Sequence, residues 1–146
     1  MKHLLFLLLL VCAMRVQAQS ADSMQVHRAA LDYIEGFYEG DTLKLQRSLS
    51  HSLHKYGYYK NKTEQYEGSA MNYQQALDYS KNVLAKKKFA KPDAPKTVIV
   101  MDVQENIACA KVIAWWGLDY LHLSKQDGQW KIEQVLWQGP LKTLVK

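Results

Sequence analysis

The fold class of this chain is decided by one stretch near its C-terminus, Ser124–Trp137, which reads SKQDGQWKIEQVLW. Asp127-Gly128 separates two runs in which apolar and polar residues alternate, and this arrangement is typical of a β-hairpin with a tight primed turn. Extending the alternation in both directions predicts strands over 118–126 and 129–138. The chain is therefore expected to end in antiparallel sheet.

Helical periodicity occurs in three segments before this hairpin. Asp22, Asp41 and Asn72 stand where helix caps are expected, and Gly40 stands where the first helix should stop. The predicted helices cover 23–39, 42–50 and 73–87, and the predicted strands before the hairpin cover 53–60, 63–69, 97–104 and 107–116. The resulting order, ααββαββββ, is an α+β pattern with helices gathered on one face of an antiparallel sheet.

The first 18 residues have the layout of a secretory signal peptide. A short basic head precedes an almost continuous apolar run over 4–13, and Val16-Gln17-Ala18 ends in the small residue that a signal peptidase requires. We expect cleavage after Ala18, which predicts an exported protein, periplasmic or secreted. Two alternatives are a membrane anchor, for which the run is short against a hydrocarbon core of about 30 Å, and a lipoprotein modified at Cys12.

The remaining segment, 19–146, has the size of one domain. Without the leader it carries 17 basic against 14 acidic side chains, a net charge of +3. The run Lys86-Lys87-Lys88 has no aromatic interleaving or nucleic-acid motif, so neither a nucleic-acid partner nor membrane association after leader removal is predicted. Cys109 is its single cysteine. Because metal-ligand spacings and cofactor motifs do not occur in the sequence, we predict no metal and no cofactor.

The registers of two hairpins predict which residues face the helices. The turn at Asp127-Gly128 places Asp119 and Gln134 on the covered face of the last two strands. Because a carboxylate on an apolar face is costly unless it is hydrogen-bonded or protonated, Asp119 is a candidate general acid or base. A structural aspartate held by a backbone N–H or a tyrosine hydroxyl is the alternative. A turn at Glu105-Asn106 adds a second set to the covered face: Thr97, Ile99, Met101, Val103, Ala108, Ala110, Val112, Ala114 and Trp116.

A ligand pocket is predicted from aromatic residues on the covered side. The helix stripe supplies two rings and the first strand two more, and such a lining suits a flat ligand, although ordinary core packing also explains it. Trp115 and Trp116 are expected to point to opposite faces, so that only Trp116 lines the pocket. The full predicted lining is Tyr33, Phe37, Tyr56, Tyr58, Trp116, Asp119 and Gln134. His51 is a second candidate for acid–base work, with a surface histidine as the alternative.

Four segments together resemble a known superfamily: ALDYIEGFYEGD (30–41), His51-Ser52-Leu53, ACAKVIAWW (108–116) and DYLHLSKQDGQWKIEQVLW (119–137). In their order and spacing over 24–138, they are similar to the NTF2-like superfamily, and within it to the small exported bacterial family labelled putative lumazine-binding, close to SnoaL-like proteins. The resemblance implies a cone-shaped fold with a cavity at its open end and frequent dimerisation through the sheet. Superfamily enzymes such as ketosteroid isomerase and scytalone dehydratase place Asp, Tyr and His in that cavity, and this chain has no complete match for either set.

Three hypotheses for function follow. We favour an exported protein that binds a small apolar or aromatic molecule in the cavity, with no reaction assigned to it. The second hypothesis is an isomerase or dehydratase that uses Asp119 with a tyrosine or His51, and the third is a non-catalytic dimeric interaction module. A homodimer is expected through the outer face of the sheet, where too much apolar area is predicted to remain in water. The predicted outer residues are Val98, Val100, Ile113, Trp115, Leu118, Tyr120 and Trp137.

Overall fold

The computed structural model describes residues 2–140, and the side chains of 21–140. The elements are α1 (Lys2–Glu39), α2 (Thr42–Ser48), β1 (Leu49–Lys60), β2 (Tyr66–Asn72), α3 (Tyr73–Ala85), β3 (Thr97–Val103), β4 (Ile107–Ala114), β5 (Gly117–Gln126) and β6 (Gln129–Gln138). Their order confirms the predicted ααββαββββ pattern. The predicted signal peptide and the last six residues of the predicted domain lie outside the described side chains. In the described part of the chain, no helix is long and apolar enough to cross a membrane.

The six strands form one curved sheet in the order β2-β1-β6-β5-β4-β3. Neighbouring strands are antiparallel except β1 and β6, which run parallel, so the predicted all-antiparallel sheet contains one parallel pair. The helices cover one face. Core side chains that α1, β5 and β6 bury between them include Ala30, Ile34, Leu121 and Ile132, each fully shielded from solvent.

The helix ends follow local sequence signals with one exception. Asp41 caps α2, and Asn72 caps α3 through a reciprocal pair of hydrogen bonds with Gln75, as expected. Gly40, at φ +70°, follows the last residue of α1. The exception is Asp22, which is predicted as an N-cap but lies inside α1 because the helix begins at Lys2. Its carboxylate instead accepts hydrogen bonds from side chains of the β5–β6 hairpin.

A β-bulge in β6 changes the register predicted for the final hairpin. The turn residues Asp127 and Gly128 both have positive φ, as a primed turn requires. Lys125 pairs with Trp130 as predicted, but the register shifts by one residue at Glu133. The Glu133 carboxylate accepts hydrogen bonds from the hydroxyls of Ser52 (2.6 Å) and Ser124 (2.8 Å) on the neighbouring strands.

The bulge reverses the predicted orientation of the β6 residues beyond it, among them Gln134 and Trp137. Beyond Glu133, Asp119 pairs with Trp137 and His122 pairs with Gln134. Gln134, predicted inside, is exposed on the outer face, where the His122 ring lies 3.3 Å from its side-chain oxygen. Trp137, predicted outside, turns to the covered face. Asp119 stays on the covered face, as predicted, and is fully buried.

A second bulge corrects the prediction for β3. The β3–β4 register shifts between Val100 and Asp102, because Met101 is an extra residue on β3. Val98 and Val100 therefore pair with residues of the covered face and pack against the core. Three residues predicted inside are instead exposed: Thr97, Ile99 and Met101. The predicted inward set is otherwise buried or half-buried: Val103, Ala108, Ala110, Val112, Ala114 and Trp116.

Candidate functional site

A cavity of about 430 Å³ opens between the helices and one end of the sheet. This volume lies within the range of small-molecule binding sites, and the wall is mainly apolar, as such sites are. The lining combines side chains from two helices, three strands and the turns beside them: Phe37, Lys55, Tyr59, Lys60, Met71, Tyr79, Trp115, Trp116, Trp137, Gly139 and Pro140. Six of these eleven residues are aromatic.

Trp115 and Trp116 both line the cavity, contrary to the prediction that only Trp116 would. Strand β4 ends at Ala114, and the two tryptophans form the turn before β5, where the alternation of a strand no longer applies. Their ring centroids are 5.8 Å apart and their planes are nearly perpendicular. Trp116 also makes an edge contact with Phe37 at 5.8 Å. The turn therefore supplies two neighbouring walls of the site.

Trp137 reaches the cavity because its partner on β1 is a glycine. Gly57 pairs with Trp137, and a Cβ atom at position 57 would lie 2.2 Å from Trp137 Cδ1. A side chain there would occupy the space of the indole. Glycine weakens a strand prediction, but at this position it permits the close approach of a large ring to the backbone.

Asp119 lies beneath the cavity, and its carboxylate receives three hydrogen bonds. The hydroxyl of Tyr33 donates to Oδ2 at 2.5 Å, and Nε1 of Trp116 donates to Oδ1 at 2.8 Å. The ammonium of Lys55 donates to Oδ2 at 3.2 Å and forms an ion pair. A carboxylate placed in the core is thus fully satisfied, as a buried charge must be.

Lys55 is the functional candidate that the sequence does not indicate. Only 7% of the residue is exposed, and its Nζ donates to the Tyr33 hydroxyl at 2.6 Å as well as to Asp119. The same nitrogen lies 5.1 Å from the ring centroid of Trp137 and 6.0 Å from that of Trp116, within the distance of cation–π contacts. The available signal was its place between Leu53 and Gly57, the inward positions of β1.

Burial changes the proton affinity of two members of this cluster. Desolvation lowers the pKa of Lys55, and the nearby Asp119 carboxylate opposes that change. Desolvation, reinforced by the charge of Asp119, holds the pKa of Tyr33 well above its ordinary value. Tyr33 therefore remains a protonated donor at neutral pH.

The structure brings together four of the predicted pocket residues. Phe37 and Trp116 line the wall, and Tyr33 and Asp119 form the layer beneath it. The other three, Tyr56, Tyr58 and Gln134, lie exposed on the outer face. The two tyrosines face outward because the inward positions of this part of β1 are Leu53, Lys55 and Gly57.

His51 is placed away from the cavity. It is exposed, and its ring packs against Tyr73 with centroids 4.6 Å apart. Across the described side chains, 21–140, no group of three His, Cys, Asp or Glu residues is arranged to hold a metal ion. The chemistry of the site thus rests on aromatic rings, one buried ion pair and a tyrosine hydroxyl.

Helices packed over one face of a curved sheet, with a cavity at the end of the layer, form the NTF2-like fold. The fold matches an NTF2-like protein of unknown function from Silicibacter pomeroyi DSS-3 with a TM-score of 0.61 at 17% identity, covering 86% of this chain and 96% of that one. A second such protein, from Shewanella baltica OS155, matches with a TM-score of 0.61 at 17% identity, covering 81% and 93%. A third, from Methylobacillus flagellatus KT, matches with a TM-score of 0.62 at 14% identity, covering 81% and 91%.

The chain belongs to the family described as putative lumazine-binding, whose sequence profile matches residues 21–138. The resemblance drawn from the four sequence segments, to the superfamily and to this family, is thereby confirmed. No curated protein matches the chain.

Proposed function

We propose that this protein binds a flat aromatic molecule in its cavity and does not convert it chemically. The observation that carries the proposal is the convergence of six aromatic side chains around an open volume of about 430 Å³. Rings that served only as core would fill that volume by packing on one another. The family description points to the same class of ligand, because lumazine is a fused aromatic ring.

Calorimetric titration with lumazine tests this function. The wild-type protein is expected to bind lumazine, and Trp137→Leu, which removes one wall of the cavity, is expected to weaken binding by roughly tenfold, a typical loss for an aromatic anchor. Tyr66→Leu, an exposed tyrosine on β2, is the matched control and should leave the dissociation constant unchanged. Absence of binding by lumazine and by simpler fused rings such as indane, or an unchanged constant in Trp137→Leu, would overturn the proposal.

The arrangement around Asp119 favours binding over the isomerase or dehydratase hypothesis. A general base needs a lone pair within reach of the substrate. Both oxygens of Asp119 are engaged, by Tyr33, Lys55 and Trp116, and the residue is fully buried beneath the lining. His51, the other predicted acid–base residue, lies on the surface. Asp119 is therefore suited to hold the Lys55 ammonium in place rather than to accept a proton from a substrate.

We further propose that the protein is a homodimer, joined through the outer face of the sheet. Adjacent positions on four strands expose or half-expose apolar side chains there: Tyr56, Tyr58, Ile113, Leu118, Tyr120 and Leu136. We call this set the outer patch. It differs from the predicted set, since Val98 and Val100 pack inward and Trp115 and Trp137 line the cavity. A dimer formed this way leaves the opposite, helix-covered side free for ligand.

Export remains a proposal that rests on the leader sequence. The basic head, the apolar run and the small residue at Ala18 support cleavage and a mature chain that begins at Gln19. N-terminal sequencing of the protein recovered from outside the cytoplasm would test this, and a retained leader or a lipid on Cys12 would contradict it.

A further inference from the structure

We propose that the ligand is an uncharged aromatic molecule with a carbonyl oxygen, and that Lys55 donates a hydrogen bond to that oxygen. This inference rests on the proposed function, an aromatic molecule held in the cavity, and adds the chemical group by which that molecule is recognised. Its basis is Lys55, the one buried cation that lines the cavity among the described side chains, 21–140.

The ammonium of Lys55 has one donor left for a ligand. A lysine ammonium carries three N–H groups. The hydroxyl of Tyr33 accepts one and Oδ2 of Asp119 accepts another, and no further acceptor contacts Nζ among residues 21–140. Because Lys55 itself lines the cavity, a ligand is the natural partner for the third N–H.

The charges around the cavity favour a neutral acceptor. Lys55 is paired with Asp119, and Lys60, at the rim, is paired with Glu64 at 2.6 Å. Within the part of the chain whose side chains are described, no carboxylate lines the cavity, so a cationic ligand would meet two lysines there. An anionic ligand would lose its hydration and meet only lysines that are already paired. A carbonyl oxygen accepts a hydrogen bond from an ammonium without bringing a net charge into the site.

The positions of the rings orient such a ligand. Nζ of Lys55 is near the faces of Trp116 and Trp137, so an oxygen bound to Lys55 lies at the inner edge of the aromatic wall. A carbonyl oxygen accepts best near the plane of its own substituents, which for an aryl ketone or lactam is the plane of the ring. The ring of the ligand then extends from Lys55 along the tryptophans towards the opening.

A matched pair of probes tests the inference: 1-indanone, and indane, in which a CH₂ group replaces the carbonyl. We expect wild-type protein to bind 1-indanone roughly tenfold more tightly than indane, the effect of one hydrogen bond to a charged group. Lys55→Met should remove that preference while indane still binds. Because Lys55→Met leaves Asp119 without its counter-charge, the variant Lys55→Met/Asp119→Asn, which removes both charges, is measured beside it. Lys81→Met, an exposed lysine on α3, is the control and should keep the preference.

The infrared band of the carbonyl gives a second readout. The C=O stretch of bound 1-indanone should move to lower wavenumber in wild type and return towards its unbonded position in the Lys55 variants. Equal affinities of wild type for the two probes, or a preference that persists without Lys55, would overturn the inference while the proposed function stands. Binding of neither probe would overturn the inference, and absence of lumazine binding as well would overturn the proposed function.

Discussion

Asp119 and Lys55 form a buried ion pair in which each charge depends on the other. Asp119→Asn leaves the Lys55 ammonium in the core without a counter-charge, so we expect the free energy of unfolding to fall by about 3 kcal/mol. Lys55→Met/Asp119→Asn should lose less than the sum of the two single variants, by roughly 1 kcal/mol or more, because no charge is stranded. Urea unfolding of the four proteins measures this coupling.

Lys60 and Glu64 provide the comparison, since their ion pair lies on the surface. Their side chains are 35% and 77% exposed, so Lys60→Met should leave the free energy of unfolding nearly unchanged. Strictly additive losses for Asp119→Asn and Lys55→Met would show that the buried pair has no energetic coupling.

Asp119 and Lys55 differ in whether the sequence predicts the direction in which the side chain points. Asp119 was predicted on the covered face because the turn beside it fixes the phase of β5. Lys55 was not predicted, because its orientation depends on the pairing of β1 with β6. Its partner in that pairing, Val135, is 80 residues away in the sequence. The local indication was only its place between Leu53 and Gly57, and a lysine in a strand is far more often exposed than buried.

Helix α1 is tied to the β5–β6 hairpin by Asp22. Its carboxylate accepts hydrogen bonds from Nζ of Lys125 at 2.7 Å and from Nε1 of Trp130 at 3.0 Å. These bonds, the Lys125 bond first, lower the pKa of Asp22 below its ordinary value of 3.8. The stabilisation is therefore complete above the unfolded-state pKa and is lost as the pH falls through the lower pKa of the folded state.

Asp22→Asn should consequently weaken the acid dependence of stability. Melting temperatures measured from pH 6 to pH 2 are expected to fall less steeply for Asp22→Asn than for wild type at the acid end, because the variant has no proton to bind at this position. Asp93→Asn, at an exposed aspartate in the segment after α3, is the control and should follow the wild-type curve. Identical curves for all three proteins would exclude Asp22 as an acid-sensitive link.

Local signals predicted the elements well, and long-range contacts account for the errors. The turn at Asp127-Gly128 and the caps at Asp41 and Asn72 depend on residues a few positions apart, and all three were predicted correctly. The bulge at Glu133 was not predicted. It positions the Glu133 carboxylate to accept a hydrogen bond from Ser52, and these two residues are 81 positions apart in the sequence. The register error then misassigned the side chains beyond the bulge, including Gln134, which was predicted to line the cavity, and Trp137, which was predicted to face outward.

Assembly of two copies through the outer patch is expected to depend on its centre. Leu136 is 55% exposed and lies between Tyr56 on β1 and Tyr120 on β5, so Leu136→Lys should place a charge in the middle of the interface and convert the dimer to a monomer. Leu84→Lys, at a leucine of similar exposure on α3, should leave the dimer intact. Light scattering after gel filtration measures the molar mass of each protein. A monomeric wild-type protein at micromolar concentration would refute the proposal.

The extra residue at Glu133 also determines how distant relatives of this chain should be aligned. At 17% identity, an alignment of β6 relies mainly on the period of two in its hydrophobic pattern, and that period changes phase at the bulge. A gapless alignment to a relative with a regular strand would equate Gln134 with an inward residue and Trp137 with an outward one. A one-residue gap at Glu133 restores the correspondence, so that any comparison of cavity residues between relatives becomes meaningful only after the gap is placed.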